Sequence, residues 1–238
     1  IESHRVECLR SILINTHMVE AAYKAGAQRF FFSSSACAYN TLLQQTPDVV
    51  ALKETDAYPA MAERGYGWEK LMSEMFCQEY WAERGFETHI ARFHNIYGPN
   101  GTWFGGREKA PAAICRKVIE AKDSGVLHID IWGTGEQTRS FCFIEDCVKG
   151  IDWITHCEKL IATPINLGSS ELVSINQLVS LAEEIGGVKL ERSYQLDAPK
   201  GVAGRNSDNT MIQSILGWEP NTPLRAGLAK TYAWIEEQ

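Results

Sequence analysis

A short apolar run that ends in three serines constrains the fold of this chain more than any other feature. Residues 29–32 are Arg-Phe-Phe-Phe and serines follow directly, so the pattern predicts a strand over residues 29–34 with a turn after it. Apolar positions at helical spacing occupy residues 3–25 before this strand, and a second helical pattern spans residues 66–84 after it. A strand flanked by helices in this way indicates an α/β fold.

The rest of the chain continues the alternation of strands and helices. Further strands are predicted at residues 87–93, 128–132, 139–144, 164–167 and 189–194, and further helices at residues 111–123, 145–157, 174–185, 208–216 and 223–237. The first half therefore predicts a parallel sheet, and the second half a smaller, mixed α+β lobe.

Composition excludes several classes of function. The 238 residues carry a net charge of -7, so there is no basic excess for a nucleic-acid backbone. No apolar run approaches the roughly 18 residues of a membrane span. The seven cysteines form no Cys-x-x-Cys pair, and the histidines do not join them at zinc spacing. We therefore expect a cytoplasmic protein with reduced cysteines, no metal site and no nucleic-acid or membrane partner.

Tyr66 and Lys70 give the first indication of chemistry. Residues four apart share one face of a helix, so the Lys70 ammonium can lie near the Tyr66 phenol. A neighbouring cation favours the phenolate and lowers a pKa that is about 10 when unperturbed. A phenolate is a general base for an alcohol, which is what oxidation of an alcohol by a nicotinamide needs. Taken alone, however, Tyr-x-x-x-Lys also fits a solvated helix face.

Longer motifs make the pattern specific. The serine-ended strand continues as Ala-Cys at residues 36–37, residues 92–99 are Arg-Phe-His-Asn-Ile-Tyr-Gly-Pro, and residues 105–111 are Gly-Gly-Arg-Glu-Lys-Ala-Pro. Residues 204–209 are Gly-Arg-Asn-Ser-Asp-Asn. Together with Tyr-x-x-x-Lys, these motifs resemble the extended short-chain dehydrogenases/reductases that act on nucleotide sugars. The resemblance covers essentially the whole chain and is greatest to the GDP-mannose 3,5-epimerase subfamily.

The resemblance implies catalytic roles and an NAD cofactor. Tyr66 takes the proton of the sugar C4 hydroxyl, Ser35 hydrogen-bonds the same hydroxyl, and Lys70 holds the nicotinamide ribose, so Tyr66 and Lys70 are also the cofactor contacts. The resulting 4-ketone acidifies the C–H bonds at C3 and C5. Cys37 and Lys109 match the acid/base pair that inverts these carbons.

Cys37 also has a chemical reason of its own. Sugar 4-epimerases resemble this chain up to Ala36 but carry a threonine at the position of Cys37. They need no acid/base group at a C–H bond. A thiol with an unperturbed pKa of about 8.5 exchanges protons near neutral pH, whereas a hydroxyl does not. Without the other motifs, a lone cysteine after a strand would be a packing residue.

The resemblance also implies a substrate-binding set. Its members are Ser35, Ala36, Cys37, Asn95, Glu108, Lys109, Ala110, Lys117, Gln137, Thr138, Arg139 and Arg205. Arginine and lysine suit a diphosphate, because a guanidinium can bind phosphate oxygens in pairs. His94 is predicted to be packed rather than catalytic, and of the two tryptophans that could line the pocket we place Trp132 in the core.

The same resemblance implies the domain organisation. The fold is the C-terminal part of a Rossmann-like doubly wound parallel sheet plus a smaller α+β substrate-binding lobe. Residues 1–100 form a partial Rossmann-like domain, and residues 101–238 form mainly the lobe, with residues 139–168 returning to the sheet. No Gly-x-Gly-x-x-Gly loop lies between a strand and a helix. We therefore expect that an N-terminal dinucleotide-binding βαβ unit is lacking, so that this chain is a fragment, inactive alone.

The expected activity is NAD-dependent conversion of GDP-mannose to GDP-L-galactose through a transient 4-keto intermediate. The alternatives are another nucleotide-sugar 4-epimerase, a 4,6-dehydratase, or a non-catalytic remnant that binds nucleotide sugars. The family implies a homodimer through a four-helix bundle. The helix over residues 66–84 would contribute Leu71, Met75 and Trp81 to that bundle.

Overall fold

The computed structural model describes residues 4–198 and 201–238. The α-helices are α1 (Arg5–Lys24), α2 (Tyr66–Arg84), α3 (Ala110–Ser124), α4 (Ile144–Thr155), α5 (Ile175–Gly186), α6 (Thr210–Leu216) and α7 (Leu224–Glu236). The strands are β1 (Arg29–Ser35), β2 (Glu87–Phe93), β3 (Ile96–Tyr97), β4 (His128–Trp132), β5 (Thr138–Ser140), β6 (Cys142–Phe143), β7 (Pro164–Leu167), β8 (Leu172–Ser174), β9 (Glu191–Gln195) and β10 (Gly204–Arg205). Within the described ranges, none of these helices is long and apolar enough to cross a membrane.

A three-stranded parallel sheet, ordered β1–β2–β7, organises the first core. Side chains alternate across a strand, and both faces of this sheet are covered. Phe32 and Ile90 pack against Cys77 of α2 on one face. Ala91 and its neighbours pack against α4 and α6 on the other face, where Ile212 is fully buried. The predicted α/β fold with a parallel sheet is therefore confirmed.

A second apolar core lies among α3, α5, α7 and β4. Its fully buried members include Val118, Leu178 and Leu228, one from each of the three helices. Two smaller sheets border it: β4 pairs with β9 in parallel, and β5 lies between parallel β10 and antiparallel β8. The capping box at Ser174, in which the hydroxyl accepts from the Gln177 amide, begins α5 where the sequence predicts.

One predicted strand is wrong in its extent. The strand expected at residues 139–144 is two strands, because β5 and β6 pair with different partners on either side of Phe141. Asn95 explains this break: its Nδ2 donates to the Ser140 carbonyl, while its own carbonyl accepts from the Cys142 amide.

Helix α6 packs on the central sheet although it lies outside residues 139–168, the segment predicted to return to that sheet. The division into two domains stays a prediction.

A buried ion pair joins α2 to the central sheet. Arg92 of β2 donates through Nε and Nη2 to both carboxylate oxygens of Glu74, at 2.9 and 2.7 Å, and both side chains are 2% exposed. Ser34 of β1 donates to the same carboxylate. Behind the pair, the Arg92 guanidinium lies over the Tyr39 ring, whose hydroxyl donates to Asn166 of β7 at 2.6 Å. These bonds fix the position of α2 along all three strands.

Glu74→Gln tests how much this network contributes to stability. Removing the carboxylate leaves the Arg92 charge buried without its partner, which typically costs about 3 kcal/mol or more. We expect the free energy of unfolding to fall by that amount in urea titrations at pH 7. Glu145→Gln is the control, because its partner Lys230 is exposed and such pairs contribute about 1 kcal/mol or less. Equal losses in the two variants would contradict a structural role for the buried pair.

Candidate active site

A close backbone contact positions the first residue of α2 against the end of β1. A Cβ added at Gly67 would lie 2.2 Å from the Cys37 carbonyl oxygen, so only glycine fits there. At the same turn, the Ser35 hydroxyl accepts from the Cys37 amide at 3.2 Å. Tyr66, which precedes Gly67, lies near enough to Ser35 and Cys37 for both to act on its pKa. The sequence-predicted residues Ser35, Cys37 and Tyr66 therefore lie in one cluster.

The expected lowering of the Tyr66 pKa is wrong. Burial raises the pKa of Tyr66 to about 12, and the nearby Cys37 adds to this rise, while the hydrogen bond with Ser35 acts against it. Lys70 does lie on the same face, with its Nζ 5.4 Å from the centroid of the Tyr66 ring. At this distance from the ring centre, its charge does not offset the desolvation of the phenol.

Lys70 is held in place without using its hydrogen-bond donors. Its Nζ lies 4.9 Å from the centroid of the Phe32 ring and 4.0 Å from Oε2 of Glu69. Glu69 is itself fixed, because its carboxylate accepts from Asn15 and Ser73 and its Oε2 is buried without a hydrogen bond. Within the described residues no acceptor lies at hydrogen-bond distance from Lys70. Its donors therefore fit a ligand that carries hydroxyls, such as a ribose.

Arg205 contacts the Cys37 sulfur. It lies in β10 and is 7% exposed, and its Nη1 donates to the Cys37 Sγ at 3.4 Å. Its Nε donates to Gln44 Oε1 at 2.6 Å, and its Nη2 donates to a carboxylate oxygen of Glu63. All described cysteines are free, Cys37 among them. A guanidinium beside a sulfur stabilises negative charge on it.

Most of the other predicted binding residues line a cavity of about 610 Å³. Those that do are Asn95, Glu108, Lys109, Ala110, Lys117, Gln137 and Arg139. The α3 helix begins directly after Lys109, which is exposed at the cavity. Glu108 keeps a carboxylate: burial acts to raise its pKa, but hydrogen bonds, including one from Arg116, hold that pKa below the usual value. Burial lowers the pKa of Lys117.

Arg139 connects the cavity to the cluster of Ser35, Cys37 and Tyr66, which we call the thiol cluster. It lines the cavity, and burial followed by the charge of Arg205 lowers the pKa of Arg139 to about 10, while Glu63 and Cys37 act in the opposite sense. Its guanidinium also donates to the carbonyl oxygens of Thr138 and Val202. Lys109 thus lines the same cavity as Arg139, whereas Cys37 lies outside the lining but acts on the charge of Arg139.

Several predicted residues take other positions. Ala36 is 2% exposed and packs in an apolar cluster with Tyr39 and Leu52, so its side chain belongs to the interior. The Thr138 hydroxyl donates to the Pro47 carbonyl outside the cavity lining. His94 is fully buried, and burial lowers its pKa to about 3, which agrees with its prediction as a packed residue.

The placement of Trp132 in the core is wrong. It is 58% exposed and lines the cavity. Its exposed neighbours along β4 are His128 and Asp130, whereas Ile129 and Ile131 are buried. Side chains alternate between the two faces of a strand, so residue 132 lies on the same face as the polar residues 128 and 130. The sequence pattern of β4 therefore predicts that Trp132 is exposed.

Glu63 and Gln44 are site residues that the sequence did not indicate. Both lie in the segment between β1 and α2, where an acid and an amide are ordinary surface types. Gln44 is 1% exposed and ends a short 3₁₀ helix, Thr41–Gln44. No local pattern points to either residue. Their shared partner, Arg205, to which both are hydrogen-bonded, lies more than 140 residues away in the chain.

Comparison with known proteins decides the family. A model described as the NAD dependent epimerase/dehydratase family matches residues 4–168. The chain belongs to this family. It is 46% identical to GDP-mannose 3,5-epimerase of Arabidopsis thaliana over 99% of this chain and 61% of that protein. It is 28% identical to GDP-L-fucose synthase 1 of the same plant over 94% of this chain and 68% of that protein.

A solved structure supports the same fold. UDP-glucose 4-epimerase of Thermotoga maritima, crystallised with UDP-glucose, superposes with a TM-score of 0.85 over 99% of this chain and 72% of that chain, at 24% identity. The predicted resemblance to the nucleotide-sugar epimerases and the Rossmann-like fold class are confirmed. The chain spans about three fifths of the length of the GDP-mannose 3,5-epimerases that it matches.

Gly67→Ala tests the backbone contact at the site. Alanine is normally about 1 kcal/mol better than glycine inside a helix. Here the added methyl meets the Cys37 carbonyl, so we expect a net loss of about 2 kcal/mol or more in urea unfolding. Glu79→Ala, at an exposed position of the same helix, is the control and should change stability by less than about 0.5 kcal/mol. A Gly67→Ala protein as stable as the native one would rule out the close contact.

Proposed function

We propose that this chain carries the catalytic residues of an NAD-dependent nucleotide-sugar epimerase that converts GDP-mannose to GDP-L-galactose. The supporting observation is the presence of a thiol, Cys37, in the cluster that contains Ser35 and Tyr66. Oxidation of an alcohol requires only the serine and the tyrosine. A thiol with a guanidinium donor adds a group that can move a proton at carbon.

The first step of the proposed reaction is oxidation at C4 of the sugar. Tyr66 accepts the proton of the C4 hydroxyl and Ser35 holds that hydroxyl by a hydrogen bond. When bound, NAD supplies the acceptor for the C4 hydride and returns it after inversion. Lys70 fits the cofactor's ribose, because its side chain is only 13% exposed and its donors are free of described acceptors. Tyr66 must be ionised to accept the C4 proton, and the Lys70 ammonium favours the phenolate over the phenol.

The second step is proton exchange at C3 and C5. The 4-ketone makes both C–H bonds acidic, since the carbanion is delocalised as an enolate. One group must remove a proton from one face and another must return a proton to the opposite face. We assign these roles to Cys37 and Lys109. Arg139 links the two, because it lines the cavity with Lys109 and interacts with the charge of Cys37.

The nucleotide part of the substrate fits the cavity. A volume of about 610 Å³ is within the range of about 300–1,000 Å³ that small-molecule sites occupy. Lys117 and Arg139 supply charge for a diphosphate, and Asn95, Glu108 and Gln137 supply neutral or acidic hydrogen-bonding groups. We place Ala110 at the wall, and Ala36, Thr138 and Arg205 in the surrounding shell.

The alternative enzymes differ in what they require of Cys37 and Lys109. A 4-epimerase needs neither group, because it only oxidises and reduces C4. A 4,6-dehydratase removes a proton from C5 and later returns one there, but needs no proton transfer at C3. A non-catalytic remnant would bind the nucleotide sugar without exchanging any C–H proton. The identity of 46% to GDP-mannose 3,5-epimerase supports the 3,5-epimerase.

Exchange in D₂O tests the proposal. We predict that NAD and GDP-mannose, incubated in D₂O with a polypeptide that joins this chain to a glycine-rich dinucleotide-binding unit, give deuterium at C3 and C5. Mass spectrometry and NMR of the sugar locate the label. The 238-residue chain should be assayed beside it, to test the prediction that it is inactive alone. Label at neither carbon in the joined protein would sink the proposed function.

Substitution of the proton-transfer groups separates the two steps. We expect Cys37→Ala and Lys109→Ala to reduce deuterium incorporation at C3 and C5 by about 100-fold, the usual contribution of a general acid or base. Lys122→Ala, a surface lysine later in the same helix α3, is the control and should leave incorporation unchanged. Unaltered exchange in the Cys37→Ala protein would contradict the role assigned to Cys37, because another group would then move the protons.

We also propose that the protein is a homodimer through α1 and α2. Exposed apolar side chains cover both helices: Leu13, Ile14 and Met18 on α1, and Met75 and Trp81 on α2. Leu71, which the sequence placed in the bundle, is 3% exposed and packs inside the chain, so it is excluded from that surface.

Sedimentation velocity tests the dimer. We expect the native chain to sediment as a dimer and Met75→Lys with Trp81→Lys to shift it to a monomer, because two charges would enter an apolar interface. Glu79→Lys, at an exposed position between them, should alter the equilibrium less. A native chain that is monomeric at all concentrations would contradict the proposal.

A further inference from the structure

Glu63 is bonded to both sides of the thiol cluster. Its backbone amide donates to the Cys37 carbonyl at 3.1 Å, and its own carbonyl accepts from the Trp68 amide at 3.2 Å. Its carboxylate accepts from Nη2 of Arg205 and is 29% exposed. The backbone of Glu63 is therefore fixed on the Cys37 turn and on the start of α2, while its side chain holds the guanidinium that faces the sulfur.

Arg205 has three contacts of different kinds. Its Nε donates to Gln44, a neutral acceptor, and its Nη1 donates to the Cys37 sulfur. The Glu63 carboxylate binds its Nη2 and carries the charge that opposes the cation. A guanidinium fixed beside a sulfur favours the thiolate, and a carboxylate behind that guanidinium reduces the preference. These two charges therefore act on the Cys37 sulfur in opposite senses.

The other groups near Cys37 leave this balance to Glu63. Tyr66 approaches from α2 and is uncharged near neutral pH, because its pKa is about 12. Arg139 approaches from β5 and is a second cation. Glu69 acts on Tyr66, and among the described residues Glu63 is the carboxylate that binds the Arg205 guanidinium.

We propose that Glu63 is a positioning residue that acts on Cys37 through Arg205. It anchors the guanidinium against the sulfur, and its negative charge offsets part of the positive charge that the guanidinium presents to the sulfur. A group that gives and takes a proton within one cycle works best when its surroundings favour neither state strongly. The catalytic meaning of this role rests on the proposed function, but the contacts that support it do not.

The pH dependence of Cys37 alkylation tests this role without cofactor or substrate. The probe is iodoacetamide, the chain is otherwise intact, and peptide mass spectrometry gives the rate at each cysteine. Glu63→Gln keeps a hydrogen-bond acceptor for Arg205 and removes the charge. We expect Cys37 in this variant to react about fivefold faster at pH 7, with its pH midpoint shifted downward, as loss of a nearby anion predicts.

Two variants and an internal control make the result specific. Glu63→Asp keeps the charge and should stay within about twofold of the native rate, since the carboxylate still offsets the guanidinium. Arg205→Gln should slow the alkylation of Cys37 and move its midpoint upward. Cys157, which is half-buried and remote in sequence from this cluster, reports global unfolding and should react alike in all proteins.

Two outcomes would overturn the proposal. One is a Glu63→Gln profile that is unchanged or shifted to higher pH while Cys157 is unaltered. The other is equal behaviour of Glu63→Gln and Glu63→Asp, which would make the effect steric rather than electrostatic. Alkylation needs neither NAD nor GDP-mannose. If the deuterium experiment fails, the alkylation rates therefore still test the role of Glu63. In an active protein, the pH profile of exchange at C3 and C5 should shift in the same direction as alkylation.

Discussion

The geometry of the candidate site depends on the buried ion pair between Arg92 and Glu74. Two charges that are each 2% exposed require a partner, because an unpaired charge in the interior is strongly destabilising. Helix α2 therefore has one acceptable position on β2, the one in which Glu74 meets Arg92. Tyr66 lies eight residues earlier on that helix, so the same constraint places it at the end of β1. The chemistry at Ser35 and Cys37 follows from a contact more than two helical turns away.

Local patterns were sufficient for the long elements. The apolar period predicted α2 and β2 with the bounds that the structure gives, and Gly85 in the left-handed conformation ends α2 as expected. Strands β3 and β10 are two residues long and escape such reasoning, because two residues have no period. They exist because β6 and β5 lie beside them, which is information from tertiary structure.

The same limit applies to the site. Ser35, Cys37 and Tyr66 were predictable because motif and strand end identify them, and Gly67 brings them together. Glu63 was not predictable, since a glutamate in a polar loop carries no pattern until Arg205 is near it. The predicted lowering of the Tyr66 pKa was wrong for a different reason. Helical spacing correctly placed Lys70 on the same face, but spacing contains no information on how much of the phenol is removed from water.

The raised pKa of Tyr66 has a consequence for how the site must work. In the chain alone the phenol is neutral, so no buried phenolate opposes negative charge at Cys37, but Tyr66 must be ionised before it can accept the proton of an alcohol. The cations of the cluster then act on the sulfur rather than on the phenol: Arg205 contacts it directly, whereas Lys70 lies toward Phe32 and Glu69. The charges that act on the Cys37 sulfur, those of Arg205 and Glu63, are therefore separate from the burial that raises the pKa of Tyr66.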